Sequence, residues 1–270
     1  MWNRGGDAKV DPAILLAWNS PEEKAQYQQY VDNLRGSIPK GDQYNALKGA
    51  MFNKYGAGFN VSDPTVYSED GLGDSARNAL WDVVDRYDAT PDHLRGTNSI
   101  NVIPYNDKFG GKYHIYDPDG KMIDIAMPSP DYSNANAQQW PAKPLYHELS
   151  HARTYERDIP WEQQKAFIES GWPGATAGSN SLQEMAINMP YTPAKEGIST
   201  SPYGKRSPYD DLADYLGIMS YTQNPENSPS VADLNMANDW FQEDDPRRYQ
   251  MALDMLKKLQ QGKEAQINGP

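Results

Sequence analysis

The pentapeptide His147-Glu148-Leu149-Ser150-His151 constrains this 270-residue chain more than any other stretch. On a helix, a four-residue step is close to one turn, so both imidazoles project to one side, within reach of a shared metal ion. Glu148 stands beside them. Two nitrogen donors with an adjacent carboxylate suit metal-assisted hydrolysis, in which the imidazoles hold a zinc ion and the carboxylate takes a proton from its water. Such a site needs a rigid mounting. Leu145, Leu149 and Ala152 form an apolar face beside the ligand face, Pro144 fits the first helical turn, and Asp158-Ile159-Pro160 closes the element.

Composition narrows the ligands and the partners. The chain has no cysteine, so a metal must be held by His, Asp or Glu, and the compartment cannot be read from disulfides. A net charge of -12 and a pI near 4.7 disfavour nucleic acid and anionic membrane surfaces as partners. Met1-Trp2-Asn3-Arg4-Gly5-Gly6 lacks the apolar core of a signal peptide, and no run approaches the length of a membrane span. Eighteen tyrosines, seven tryptophans and 21 prolines argue for amphipathic packing and ordered loops rather than disorder.

The pattern predicts one domain over 1–270, with a helical N-terminal part at 1–95, a core at 96–220 and C-terminal helices at 221–270. Ser20-Pro21-Glu22-Glu23 opens a helix reaching about Leu34, and Asp42 opens a second that Gly56-Ala57-Gly58 ends. Asp74 caps a third, striped by Ala76, Leu80, Val83, Val84 and Tyr87. The period then shifts to strand. Ser99 to Tyr105 is β-branched and extended, and Lys112 to Tyr116 pairs with Lys121 to Met127 around the turn Asp117-Pro118-Asp119-Gly120. The fold class expected is α+β, with a small, mostly antiparallel sheet. His114 reads as a half-exposed strand residue and His93 as a turn residue, neither of them a ligand. Helices are expected near Val231–Phe241 and Pro246–Gln261, the second facing inward through Tyr249, Leu253, Leu256 and Leu259.

A catalytic zinc needs a third protein ligand beside the open position. Ser207-Pro208-Tyr209-Asp210-Asp211-Leu212-Ala213-Asp214-Tyr215-Leu216-Gly217 places Asp210 in a first helical turn and Asp214 one turn later on the same face. Asp210 is also the third residue of a capping box, a role that needs no metal. Asp211 and Asp214 remain alternative ligands.

The histidine motif, followed some sixty positions later by Asp210-Asp211-Leu212-Ala213-Asp214, resembles zincin metallopeptidases of the anthrax lethal factor type and the related clostridial Pro-Pro endopeptidases. The resemblance runs from His147 to Gly217 and does not reach the N-terminal helices. It implies that Asp210 binds zinc, and that Tyr203, in the position of the family's tyrosine, reaches the scissile carbonyl. Aspartate stands at 210 and 214 where glutamate is common in the family, so the acidic helix must approach by about one methylene length, ~1.5 Å. His-Glu-Leu-Ser-His-Ala and the compact size also resemble the short zinc proteases that bacteria inject into host cells, a resemblance that makes Glu184, in a short helical segment at Ser181–Asn188, a further candidate ligand. The implied protein is a zincin-like, zinc-dependent endopeptidase, secreted or translocated as a toxin or effector. Glu148 is its base, and Asp214 orients a histidine ring if it is not itself a ligand. A peptide substrate lies along the edge of the hairpin, and an inhibitor or immunity protein is a further partner class. Two alternatives keep the motif: a catalytically idle binding protein of the same fold, and a zinc amidase acting on a non-protein amide.

Overall fold

The computed structural model describes residues 49, 58–61, 67–68, 71–72, 74–95, 99–103, 111–114, 122–126, 142–155, 158–188, 194, 204–222 and 239–267. The helices expected from Ser20 and Asp42 lie outside these residues apart from Gly49, which is helical, as does the stretch 231–238 of the first C-terminal helix.

Four strands make the main sheet: β1 (Gly58–Val61), β4 (Ser99–Ile103), β5 (Gly111–Tyr113) and β6 (Met122–Ala126). Their order is β1-β4-β6-β5. A separate two-stranded ribbon pairs β2 (Tyr67–Ser68) with β3 (Gly71–Leu72). The two-residue period of a strand puts Phe59, Ile100, Val102, Ile123 and Ile125 on one face, and all five are buried. Asn101, Asp124 and Lys112 share the opposite face, in register across β4, β6 and β5.

The sheet corrects two expectations. It is mixed rather than mostly antiparallel: β1 runs parallel to β4 and β4 parallel to β6, and only β5 with β6 is antiparallel. The turn residues of a hairpin determine only the pairing they close. The free side of β6 is set by burial of Ile123 and Ile125 beside Ile100 and Val102, which no local signal encodes. The N-terminal part is not wholly helical either, since β1 to β3 occupy stretches of two to four residues, too short to display a period. Parallel pairing of β1 with β4 needs a crossover, and α1 (Asp74–Asp88) lies in that connection, with Val83, Val84 and Tyr87 buried.

Helix α2 (Ala142–Tyr155) carries the histidine motif and packs against β5, β6 and α1. Leu145, Leu149 and Ala152 are fully buried, as the apolar face requires. After α3 (Trp161–Gly171), α4 (Leu182–Asn188) and a 3-10 turn (Gly204–Arg206) comes α5 (Pro208–Thr222). Every residue of α5 from Asp211 to Tyr221 is buried, the mark of a helix enclosed on all sides. Its partners are α2, α3 and α6 (Pro246–Ile267). The buried face of α6 is Arg248, Ala252, Met255, Leu256 and Leu259, whereas Tyr249 and Leu253 are only half-buried. Among the described residues no helix is long and apolar enough to cross a membrane.

The crossing of α2 over α5 is close because of one glycine. A Cβ added at Gly217 would stand 3.1 Å from the carbonyl carbon and oxygen of Tyr146 and 3.2 Å from the His147 nitrogen. Those atoms are helix backbone and cannot move aside singly. Gly217→Ala is therefore expected to destabilise the fold by about 1–2 kcal/mol, overpacking outweighing alanine's better helix propensity. A lowered urea midpoint at unchanged m-value is the readout.

Candidate metal centre

Helix α2 places its two histidines one turn apart, with ring centroids 4.6 Å from each other, and α5 brings carboxylates to them. Nε2 of His151 lies 3.3 Å from Oδ1 of Asp210, and Nε2 of His147 lies 3.7 Å from the same oxygen. The three donor atoms fall within 4.8 Å of one another. His147 and His151 are buried, and Asp210 is nearly so.

Asp210 makes the helix cap through one oxygen and turns the other to the histidines. The Ser207 hydroxyl donates to Oδ2 at 2.7 Å and accepts the Asp210 N–H at 3.0 Å, closing the capping box. Oδ1 turns to the histidines. Burial would raise the Asp210 carboxyl, but hydrogen bonds and charge from His147 and His151 hold it well below the usual carboxylate range.

Asp214, one turn on, shares the 2.6 Å hydrogen bond between its Oδ1 and Nδ1 of His147. This is the carboxylate–imidazole contact that fixes the ring and directs the other nitrogen outward. Burial opposes charging of His147, yet the carboxylates of Asp214, Asp210 and Glu148 push its pKa up to about 10. Glu148 is buried beside the histidines. Its carboxyl is raised by burial above all, and by Asp210, against the lowering effect of both histidines and of a hydrogen bond from the Tyr113 backbone.

That backbone contact ties the centre to the sheet. The His114 N–H donates to Met122 on β6, so by strand alternation the Tyr113 N–H points to the outer edge of β5, where the Glu148 carboxylate accepts it. Gly111 makes the approach feasible: a Cβ there would come within 2.8 Å of Glu148 Cγ. Tyr155 extends the face of His147 and His151 by another turn, stacking on Tyr113 at 5.6 Å and lying 5.7 Å from the His151 ring. Tyr209 lies 5.8 Å from that ring.

The remaining sequence candidates are placed elsewhere. Asp211 is fully buried but points away from the histidines, accepting the Trp172 indole N–H at 2.9 Å and pairing with the Arg248 guanidinium. Burial raises its carboxyl to about 6 against the pull of Arg248. Glu184 is exposed and accepts the Asn180 N–H at 2.8 Å, while Ser181 accepts its own N–H at 3.1 Å, a second capping box. Tyr203 lies outside the described residues. Sequence reading missed Arg248, which is 1% exposed and lies against an edge-to-face pair of rings, Phe167 at 4.1 Å and Tyr215 at 4.8 Å. The signal was present, since Arg248, Ala252, Met255 and Leu259 repeat at helical spacing, but an arginine on that stripe reads as solvated.

The donor set fits a divalent cation. Donors 2.0–2.1 Å from a tetrahedral ion stand roughly 3.3 Å apart, close to the His151–Asp210 separation. Two buried carboxylates, Glu148 and Asp214, and the nearly buried Asp210 surround the two imidazoles, an excess of negative groups that suits a bound cation. No family model matches the chain, and no curated protein or solved structure matches it either. The site must therefore be judged on its own geometry. Asp214→Asn is expected to weaken divalent-cation binding 10- to 100-fold, as loss of a carboxylate partner of a ligand histidine does. Competition titration against a chromophoric chelator measures it.

Proposed function

We propose that this chain is a zinc-dependent endopeptidase. The observation that carries the reading is the convergence of His147, His151 and Asp210 from two helices, with Glu148 beside them and the edge of β5 against that carboxylate. His147, His151 and Asp210 would hold the ion. Zinc bound by such a set supplies a Lewis acid that polarises a carbonyl and acidifies a coordinated water. Asp214 keeps the His147 ring oriented through Nδ1. Glu148, buried beside the histidines and held by the Tyr113 N–H, accepts a proton from the attacking water and returns it to the leaving amine. In the zincin comparison Tyr203 donates a hydrogen bond to the carbonyl oxygen as charge develops there.

An edge strand offers main-chain hydrogen bonds to an extended peptide, and β5 is the edge nearest the base. A protein substrate running along β5 would pass Glu148 at the scissile bond. A toxin or effector setting, with export from the producing cell, rests on the resemblance to injected bacterial proteases.

The test is metal analysis together with cleavage of a proteome-derived peptide library. Purified protein is expected to carry one zinc per chain and to cut a defined sequence. Glu148→Gln is expected to keep the zinc and lose about 10²–10⁴-fold in kcat, the range typical of a general base. Absence of stoichiometric zinc, or full activity in Glu148→Gln, would sink the reading.

A further inference from the structure

We infer that His114 is a positioning residue: its bond to Asp124 fixes the edge strand β5 against the base. The inference rests on the peptidase reading for its functional half. His114 follows β5 directly, and its Nε2 meets Oδ2 of Asp124 at 2.7 Å. The other carboxylate oxygen of Asp124 accepts the side-chain N–H of Asn101 at 2.9 Å. A side-chain relay thus crosses three strands, from β4 through β6 to the end of β5, on the face away from α2.

The relay has a mechanical reason. Strand β5 has only three residues and is held in the sheet on one side alone, so its backbone ladder is short. Yet this strand must hold still, because Gly111 abuts Glu148 and the Tyr113 N–H bonds its carboxylate. Asn101 is 8% exposed and Asp124 14%, so their bond is sheltered from water. His114 is 26% exposed, which lets its side chain be changed without emptying the core. A neutral imidazole carrying its proton on Nε2 can donate to Asp124, so the tie does not require an imidazolium.

The test compares His114→Leu and His114→Gln in the full chain, with zinc bound. Leucine cannot donate; glutamine offers an amide N–H at similar reach. Amide hydrogen exchange at Lys112, Tyr113 and His114 is expected to quicken about tenfold in His114→Leu, with β4 and β6 unchanged, and to return towards wild type in His114→Gln. Peptide kcat/KM should fall about tenfold in the leucine variant at unchanged zinc affinity, and recover with glutamine. Unaltered exchange at β5 in His114→Leu overturns the tie itself. Quickened exchange with unaltered kcat/KM overturns the positioning role. A wild-type protein without peptidase activity overturns the functional reading instead, and the exchange data still decide whether the tie exists.

Discussion

The hydrogen bond between Nδ1 of His147 and Oδ1 of Asp214 joins the two helices on which the centre depends. It is 2.6 Å long and buried, and sixty-seven residues separate its partners. Because a buried carboxylate or imidazole left without its partner is costly, the bond prescribes how α2 and α5 must sit. Everything else in the centre follows from that relation. Asp210 is one turn back from Asp214 and so faces the same histidines, while Glu148, next to His147, is turned to the sheet.

Helical geometry also explains why three neighbouring aspartates divide their work. Successive residues are about 100° apart around the axis, so Asp210 and Asp214 share a face and Asp211 points roughly a quarter-turn away. Asp211 there meets Trp172, from the end of α3, and Arg248, from α6. Arg248 packs on the edge-to-face pair of Phe167 and Tyr215, with Asp245 3.8 Å away, so its charge is matched and its guanidinium is packed. The network anchors the N-terminal turn of α5 from the far side. The C-terminal helix is thereby part of the support for Asp210, although it contributes no residue that touches the histidines among those described.

How much of this the sequence displayed depended on the range of each interaction. The four-residue spacing of His147 and His151, the apolar face at Leu145, Leu149 and Ala152, and the cap at Ser207 are local, and the helices observed there match them. Hairpin pairing of β5 with β6 was legible for the same reason. The parallel partners of β6 were not, since register between distant strands is set by which faces must be buried together. Nor was the choice among Asp210, Asp211 and Asp214 decidable from spacing, because it turns on which side of α5 meets α2 and which meets α6. Arg248 was hidden by its type, and Gly217 and Gly111 by the fact that a glycine gives no sign of what crosses it.

These glycines answer a difficulty that the acidic segment posed. A third ligand of aspartate rather than glutamate reaches less far by about one methylene, ~1.5 Å, so the helix bearing it must come closer. Gly217 lies two turns beyond Asp210 on α5, where the backbone of α2 at Tyr146 and His147 passes so near that a side chain would have to push it back by a few tenths of an ångström. Gly204, just before the helix, lies against α5 itself, its Cβ position 3.0 Å from Asp211 Cα and 3.4 Å from Asp214 Oδ2. Glycine at 217 lets the α2 backbone pass close beside α5, and across this crossing the aspartate at 210 already reaches both imidazoles, its Oδ1 3.3 Å from Nε2 of His151 and 3.7 Å from Nε2 of His147. A glutamate at 210 would carry its carboxylate ~1.5 Å further, beyond the distance that this packing sets.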